Sequence, residues 1–286
     1  LLGLTLTKRN NGKSDEVPLA GLPYHALDTY LARLVKAGRK VAICEQMEAP
    51  QKGKKVVKRE VVQVVSPGTV LADHLLDQRR NNYLATVCVE GDIAGVSVTD
   101  LSTGAFRIAE RPSEALWELL DQLGPAEVIG AADWCETVAA EADERLPGVL
   151  FTSVEPWTFT LNYAREKLLE HFGTHSLQGF GCEDLNVAVR AAGAALAYVR
   201  ENQKGAVPHI TRIAVDRTDA HMTLDLVTQQ NLELVASIRD GGREGTLLSV
   251  LDRTRTAPGA RALRAWLFEP LTDAVAIEAR LDAVEE

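Results

Sequence analysis

Several groups of residues in this chain have types and spacings that could do chemistry. Lys52, Lys54, Lys55, Lys58 and Arg59 crowd around Gly53, a cluster that could neutralise the phosphates of a polyanion or simply form a solvated loop. Gly12-Lys13-Ser14 has the ending of a phosphate-binding loop, but Thr7 stands where that motif needs its first glycine. Asp15-Glu16-Val17-Pro18 is also a poor helix start, so a nucleotide site is rejected there. His171 and His175 have the i, i+4 spacing of two metal ligands, yet Gly173 lies between them and nothing completes the set; surface histidines at a helix end are the preferred reading. Asp92 and Asp100 raise the question of two-metal nuclease chemistry, which needs several carboxylates around one strand-borne aspartate. Asp92 belongs to a turn and no regular third and fourth acid follow, so both read as turn-forming aspartates. The four cysteines are far apart, with no C-x-x-C pair, and read as reduced, mostly buried thiols rather than a zinc or disulfide framework.

The most unusual local sequence is Pro-Leu-Ala-Gly-Leu-Pro-Tyr-His at 18–25. Gly21 and Pro23 predict a fixed loop that holds Tyr24 and His25 in one direction. Such a loop could press on a nucleic-acid groove, with Lys58 and Arg59 on phosphates, or could be only a tight β-to-α connection.

The elements that must position these residues follow from periodicity. Leu4 and Leu6 alternate as in a strand, and Asn10-Asn11-Gly12 has turn chemistry. Leu27, Tyr30, Leu31 and Leu34 recur at helical spacing up to Gly38. Strands are expected at 40–43 and 60–65, the latter closed by Pro67-Gly68, and a short helical linker near 73–80. Strands at 83–89, 95–100 and 105–109 followed by a helix over 113–123 look like an RNase H-like α/β layer, with a parallel strand at 127–130. From about 160 the pattern is helical. A helix over 185–200 closes at Gly205; Asp225 caps 226–238, Thr246 caps 247–253, Pro258 opens 259–268, and Asp273 caps a last helix.

With 286 residues, 46% hydrophobic and 25% charged, the chain has the composition of about two globular domains, which excludes a disordered, collagenous or coiled-coil protein. The longest uncharged apolar run, 191–199, is less than half of the ~20 residues needed to cross a bilayer. No basic segment or cleavage site marks residues 1–7 as a secretory signal. The missing initiator Met and the helix running to Glu286 lead to the expectation of a segment of a longer protein. The formal net charge is −9, unevenly spread: residues 1–80 carry 14 Lys/Arg and 8 Asp/Glu, so a net +6 portion precedes a net −15 remainder. Only the first portion is suited to a polyanion.

The segments 18–46 and 64–69 (Val-Val-Ser-Pro-Gly-Thr) resemble the mismatch-recognition domain of bacterial MutS. The likeness continues through 81–85, 98–106, 177–184, 191–199, 207–210 and 245–271, in order along essentially the whole chain. The resemblance implies a multidomain α/β plus mainly α fold. Residues 1–71 would be the mismatch-recognition domain, 72–80 a linker, 81–205 an RNase H-like connector without nuclease activity, and 206–286 the first part of a helical core and lever region. It implies a homodimer that bends mismatched DNA and uses ATP and Mg²⁺ to recruit MutL. The Phe-x-Glu mismatch reader would precede Leu1 and the ATPase would follow Glu286, so this chain is expected to be non-catalytic, without cofactor or metal, monomeric and cytoplasmic at the bacterial nucleoid. Its DNA-binding residues would be Leu19, Gly21, Tyr24, His25, Lys58 and Arg59. Gln63, where many relatives are basic, puts one phosphate contact in question. A metal-dependent nuclease and a protein-interaction scaffold without DNA binding stay open as alternatives.

Overall fold

The computed structural model describes residues 2–9, 17–48, 57–71, 81–216, 221–222 and 224–285. The expectations for the turn at 10–12, the rejected phosphate loop at 12–14, Lys52, Lys54 and Lys55, and the linker at 73–80 lie outside these residues.

Among its described residues the first unit holds two antiparallel pairs and one α-helix. Strands β1 (Leu6–Arg9) and β2 (Val17–Ala20) pair with Thr7 opposite Leu19. Leu19 therefore lies in a strand, a correction to the loop expected from residue 18 onward. Pro18 is tolerated because a two-stranded ribbon leaves its nitrogen on an edge. Helix α1 (Leu27–Lys36) follows, and Leu31 and Val35, one turn apart, bury against Val65 and Val70. Strands β3 (Val41–Gln46) and β4 (Arg59–Val65) form the second pair, so Arg59 is a strand residue rather than part of the basic loop. A buried 3-10 turn, Pro67–Thr69, ends the unit.

The second unit is a six-stranded sheet. β5 (Tyr83–Glu90), β6 (Ile93–Asp100) and β7 (Ala105–Pro112) form an antiparallel meander. After α2 (Leu116–Leu123), β8 (Glu127–Ala131) adds parallel to β5, as the sequence led us to expect. α3 (Ala132–Arg145) and β9 (Leu150–Val154) extend the sheet, and both escaped the sequence reading. α3 has a weakly patterned, alanine- and acid-rich face with only Ala142 buried, so it offers little periodic signal. α4 (Leu161–Phe172) and α5 (Asn186–Gln203) cover one face of the sheet, while Leu116, Leu120 and Leu146 pack on the other. Strand residues alternate accordingly: Leu84 faces α5, and Ala85 and Val87 face α2. α5 ends with Lys204 in the left-handed region (φ 52°), one residue before the glycine expected to close it. Val207, Ile210 and Ile213 pack into the same core, and β10 (Ala214–Val215) pairs with β7, so the packing of this unit continues past residue 205.

The third region contains α6 (Leu226–Asn231), α7 (Leu247–Leu251), α8 (Ala257–Phe268) and α9 (Ala274–Glu285). Asp225, Thr246 and Thr256 cap the first three through their side chains. The helix expected over 226–238 stops at Asn231, because Glu233 adopts φ 44° and its carboxylate accepts the Ile238 N–H. The carbonyls of Glu233 and Leu234 then accept from Leu247 and Leu248 and draw the chain toward α7. An ion pair in which Arg107 Nη1 of β7 donates to both Glu269 oxygens (3.1 and 2.9 Å) ties this region to the sheet. No helix of the described residues is long and apolar enough to cross a membrane.

Candidate nucleic-acid interface

The sequence-predicted DNA residues fall in two groups on the first unit. In β2 the Leu19 side chain is exposed beside Thr7, whose hydroxyl donates to the Leu19 carbonyl at 2.8 Å. Gly21 follows the strand. Its φ lies outside the left-handed region and a Cβ there would meet nothing within 4 Å, so the domain's own packing does not require this glycine. The bare backbone leaves room for close approach by a ligand. Pro23, extended at φ −61° and ψ 142°, opens the 3-10 turn Tyr24–Ala26, and its carbonyl accepts from Ala26 N at 2.9 Å. That turn projects Tyr24 at 81% exposure, with His25 exposed beside it.

The second group lies at the end of the β3–β4 pair where Gln46 stands opposite Arg59. Lys58 N donates to Glu48 Oε1 at 2.9 Å and the Lys58 carbonyl accepts from Met47 N at 2.9 Å, which fixes the backbone there. Lys58 Nζ pairs with Glu60 at 2.5 Å, both side chains well exposed, so the pair is weak and a phosphate can replace the carboxylate. Arg59 is exposed and stands opposite Gln46. Among the described residues of 2–71 there are eight Lys/Arg and four Asp/Glu, so the unit is net positive. Leu6, Val17, Val61 and Val62 are also exposed, which adds apolar surface to the basic one.

The remaining candidates are accounted for by local structure. Gln63, where one phosphate contact was in question, uses its side chain within the protein: Nε2 donates to Gln203 Oε1 of α5 at 3.0 Å. The Asp100 carboxylate is fully buried, with Oδ1 accepting from the Ser102 N–H and hydroxyl and Oδ2 from Asn81 Nδ2. α4 ends at Phe172, so His175 lies off the helix, and His171 Nε2 meets the Ile210 carbonyl at 2.8 Å. No group of three His, Cys, Asp or Glu among the described residues could hold a metal ion. The cysteines are free. Cys88 and Cys182 are buried and their thiols are pushed up by burial, whereas Cys44 is exposed, against the expectation of mostly buried thiols. Sequence reading missed Glu110 of β7 and Glu127 at the start of β8, whose partners come from distant segments.

A net-positive unit with an exposed aromatic turn is thus joined to an acidic α/β layer and a helical region, the plan of a multidomain protein. Residues 1–74 match the family MutS domain I, residues 82–211 match MutS domain II, and residues 227–286 match MutS domain III, so the chain belongs to the MutS family. It is 47% identical over 290 residues to the DNA mismatch repair protein MutS of Salinibacter ruber and 46% identical over 290 residues to that of Symbiobacterium thermophilum. Identity to the corresponding protein of Bacteroides thetaiotaomicron is 42% over 292 residues. All of the chain is covered in each alignment, and it spans about a third (32–33%) of the relatives' length.

Proposed function

We propose that this chain supplies the DNA-contacting and connecting portion of a mismatch repair protein. The first domain meets duplex DNA through Leu19, Gly21, Tyr24, His25, Lys58 and Arg59. The carrying observation is the open backbone at Gly21 beside the exposed Tyr24, on the one net-positive unit of an otherwise acidic chain. The six-stranded layer, with spatial order β10-β7-β6-β5-β8-β9, serves as an RNase H-like connector. Its acidic surface is the part suited to MutL. The domain limits proposed are 1–71, 72–80, 81–205 and 206–286, with 207–215 packing on the connector. Mismatch reading by Phe-x-Glu, ATP hydrolysis with Mg²⁺ and homodimerisation are assigned to other parts of the full-length protein, which acts in the bacterial cytoplasm. This chain itself is a non-catalytic, cofactor-free monomer. A nuclease reading is disfavoured by Asp100, whose two carboxylate oxygens are both engaged by neighbouring donors.

Fluorescence anisotropy with a matched and a G·T-mismatched duplex at two salt concentrations tests this. Equal, salt-sensitive binding is expected. In Lys58→Ala/Arg59→Ala the slope of log affinity against log salt should fall by about 2, near 0.9 for each phosphate no longer neutralised. Binding that ignores salt, or an unchanged slope in the double variant, would remove the phosphate role. A preference for the mismatch would move lesion reading into residues 18–25.

A further inference from the structure

We propose that Glu127 is a positioning residue: its buried carboxylate sets the orientation of the first domain on the connector. Glu127 is the first residue of β8 and is 0% exposed. Four donors hold it. Oε2 accepts from Ser66 Oγ and from the Gly68 N–H (3.0 Å), both in the turn that ends the first domain. Oε1 accepts from Thr152 Oγ1 of β9 (2.6 Å) and Tyr198 OH of α5 (2.7 Å), both in the connector. Burial and the facing carboxylate push the Tyr198 phenol up, which keeps it a donor.

A carboxylate inside a sheet pays a desolvation penalty that an apolar residue would avoid, so the connector's own stability does not explain it. Two of its donors come from outside the connector, and the turn carrying them is shaped for this contact. Ser66 and Thr69 form a reciprocal cap, with Ser66 N donating to Thr69 Oγ1 at 3.0 Å. Gly68 permits the approach: a Cβ there would lie 2.6 Å from Leu84 Cδ1 and 2.9 Å from Glu127 Cβ. Around this centre Asn82 Nδ2 donates to the Pro67 carbonyl (2.7 Å) and Gln203 Nε2 to the Thr69 carbonyl (2.9 Å). Lys40 Nζ of the first domain stands 4.8 Å from the centre of the Tyr198 ring. An apolar contact tolerates sliding and rotation. A buried set of matched donors and acceptors is satisfied in one alignment only.

The donor types yield a specific test. On the Oε2 side the Gly68 N–H cannot reverse its polarity. On the Oε1 side both partners are hydroxyls, which accept as readily as they donate. Glutamine can therefore keep its oxygen on Gly68 and offer its two amide hydrogens to Thr152 and Tyr198, whereas leucine strands every donor. The consequence for the DNA surface rests on the reading above; the domain alignment does not. The measurement is pulsed dipolar EPR on the full chain without DNA. Spin labels go on the exposed Cys44 and on Asp143→Cys of α3, in a Cys135→Ser background, Cys88 and Cys182 being buried. Parent and Glu127→Gln should give one narrow distance distribution, and Glu127→Leu should lose it to a broad one. Ser66→Ala, which lies outside the connector, should also broaden it and decides the matter if the leucine variant does not fold. A narrow peak retained in Ser66→Ala and in a folded Glu127→Leu would overturn the proposal, as would a glutamine variant as broad as the leucine one. Distances that respond as expected in samples that bind no duplex would sink the DNA reading alone.

Discussion

Helix α5 starts without a cap of its own, and the sheet supplies one. Its N-cap residue, Leu185, offers no side-chain acceptor. Glu110 of β7 accepts instead, with Oε1 at 2.8 Å from Val187 N and 3.1 Å from Ala188 N. Gly95, opposite Glu110 across β6–β7, lets the helix start rest on the sheet: a Cβ there would lie 2.3 Å from the Val187 carbonyl carbon. Val187 and Ala188 are buried, so water cannot readily replace the carboxylate. Glu110→Ala leaves two buried N–H groups without an acceptor, at about 1–3 kcal/mol each, and removes a favourable charge from a helix N-terminus, worth ~0.3–1 kcal/mol. Taking low values because the site lies near the sheet edge, the expected loss is about 2 kcal/mol. Glu110→Gln keeps an acceptor oxygen and should lose only the charge contribution, under about 1 kcal/mol. Urea unfolding followed by circular dichroism measures both. At ~2–4 °C per kcal/mol, the alanine variant should melt roughly 4–8 °C below the parent. An alanine variant within about 0.5 kcal/mol of the parent, or one equal to the glutamine variant, would refute the cap.

Two further outcomes follow from the third region and the loop. The Asp252 carboxyl is pushed down to about 2 from an ordinary 3.8 by the hydroxyl of Thr254 and then by the Arg243 guanidinium. A depressed folded value contributes stability above the unfolded value and loses it as pH falls through the folded one. Asp252→Asn should therefore melt lower than the parent at neutral pH, with the gap closing between about pH 4 and pH 2; a gap that does not change with pH in thermal melts would contradict this. Gly21→Ala should leave stability within about 0.5 kcal/mol of the parent, since open space surrounds the position, while duplex affinity by anisotropy falls. Unchanged affinity would free the Gly21 backbone of a contact role.

The elements with strong periodic or capping signals were legible in advance: the β5–β6–β7 meander, parallel β8, α1, and the side-chain caps at Asp225 and Thr246. Each rests on interactions within a few residues, or on an alternation that any burying partner would impose. α3 and β9 were not legible, because alanines and acids leave α3 without an apolar stripe and β9 is short. The early end of α6 depended on Leu234 folding back toward α7, a contact that propensity cannot register.

The sequence by itself determined the family, the division into a basic first unit and an acidic remainder, and the residues at which a duplex is expected to sit. It could not decide what Gln63, Glu110 and Glu127 do, because their partners are Gln203, the start of α5, and donors at 66, 68, 152 and 198. A polar side chain in an apolar strand reads as exposed or misplaced until the fold shows which donors reach it. These partners lie 25 to 140 residues away in the chain, a separation over which only the packed tertiary structure fixes distance and direction.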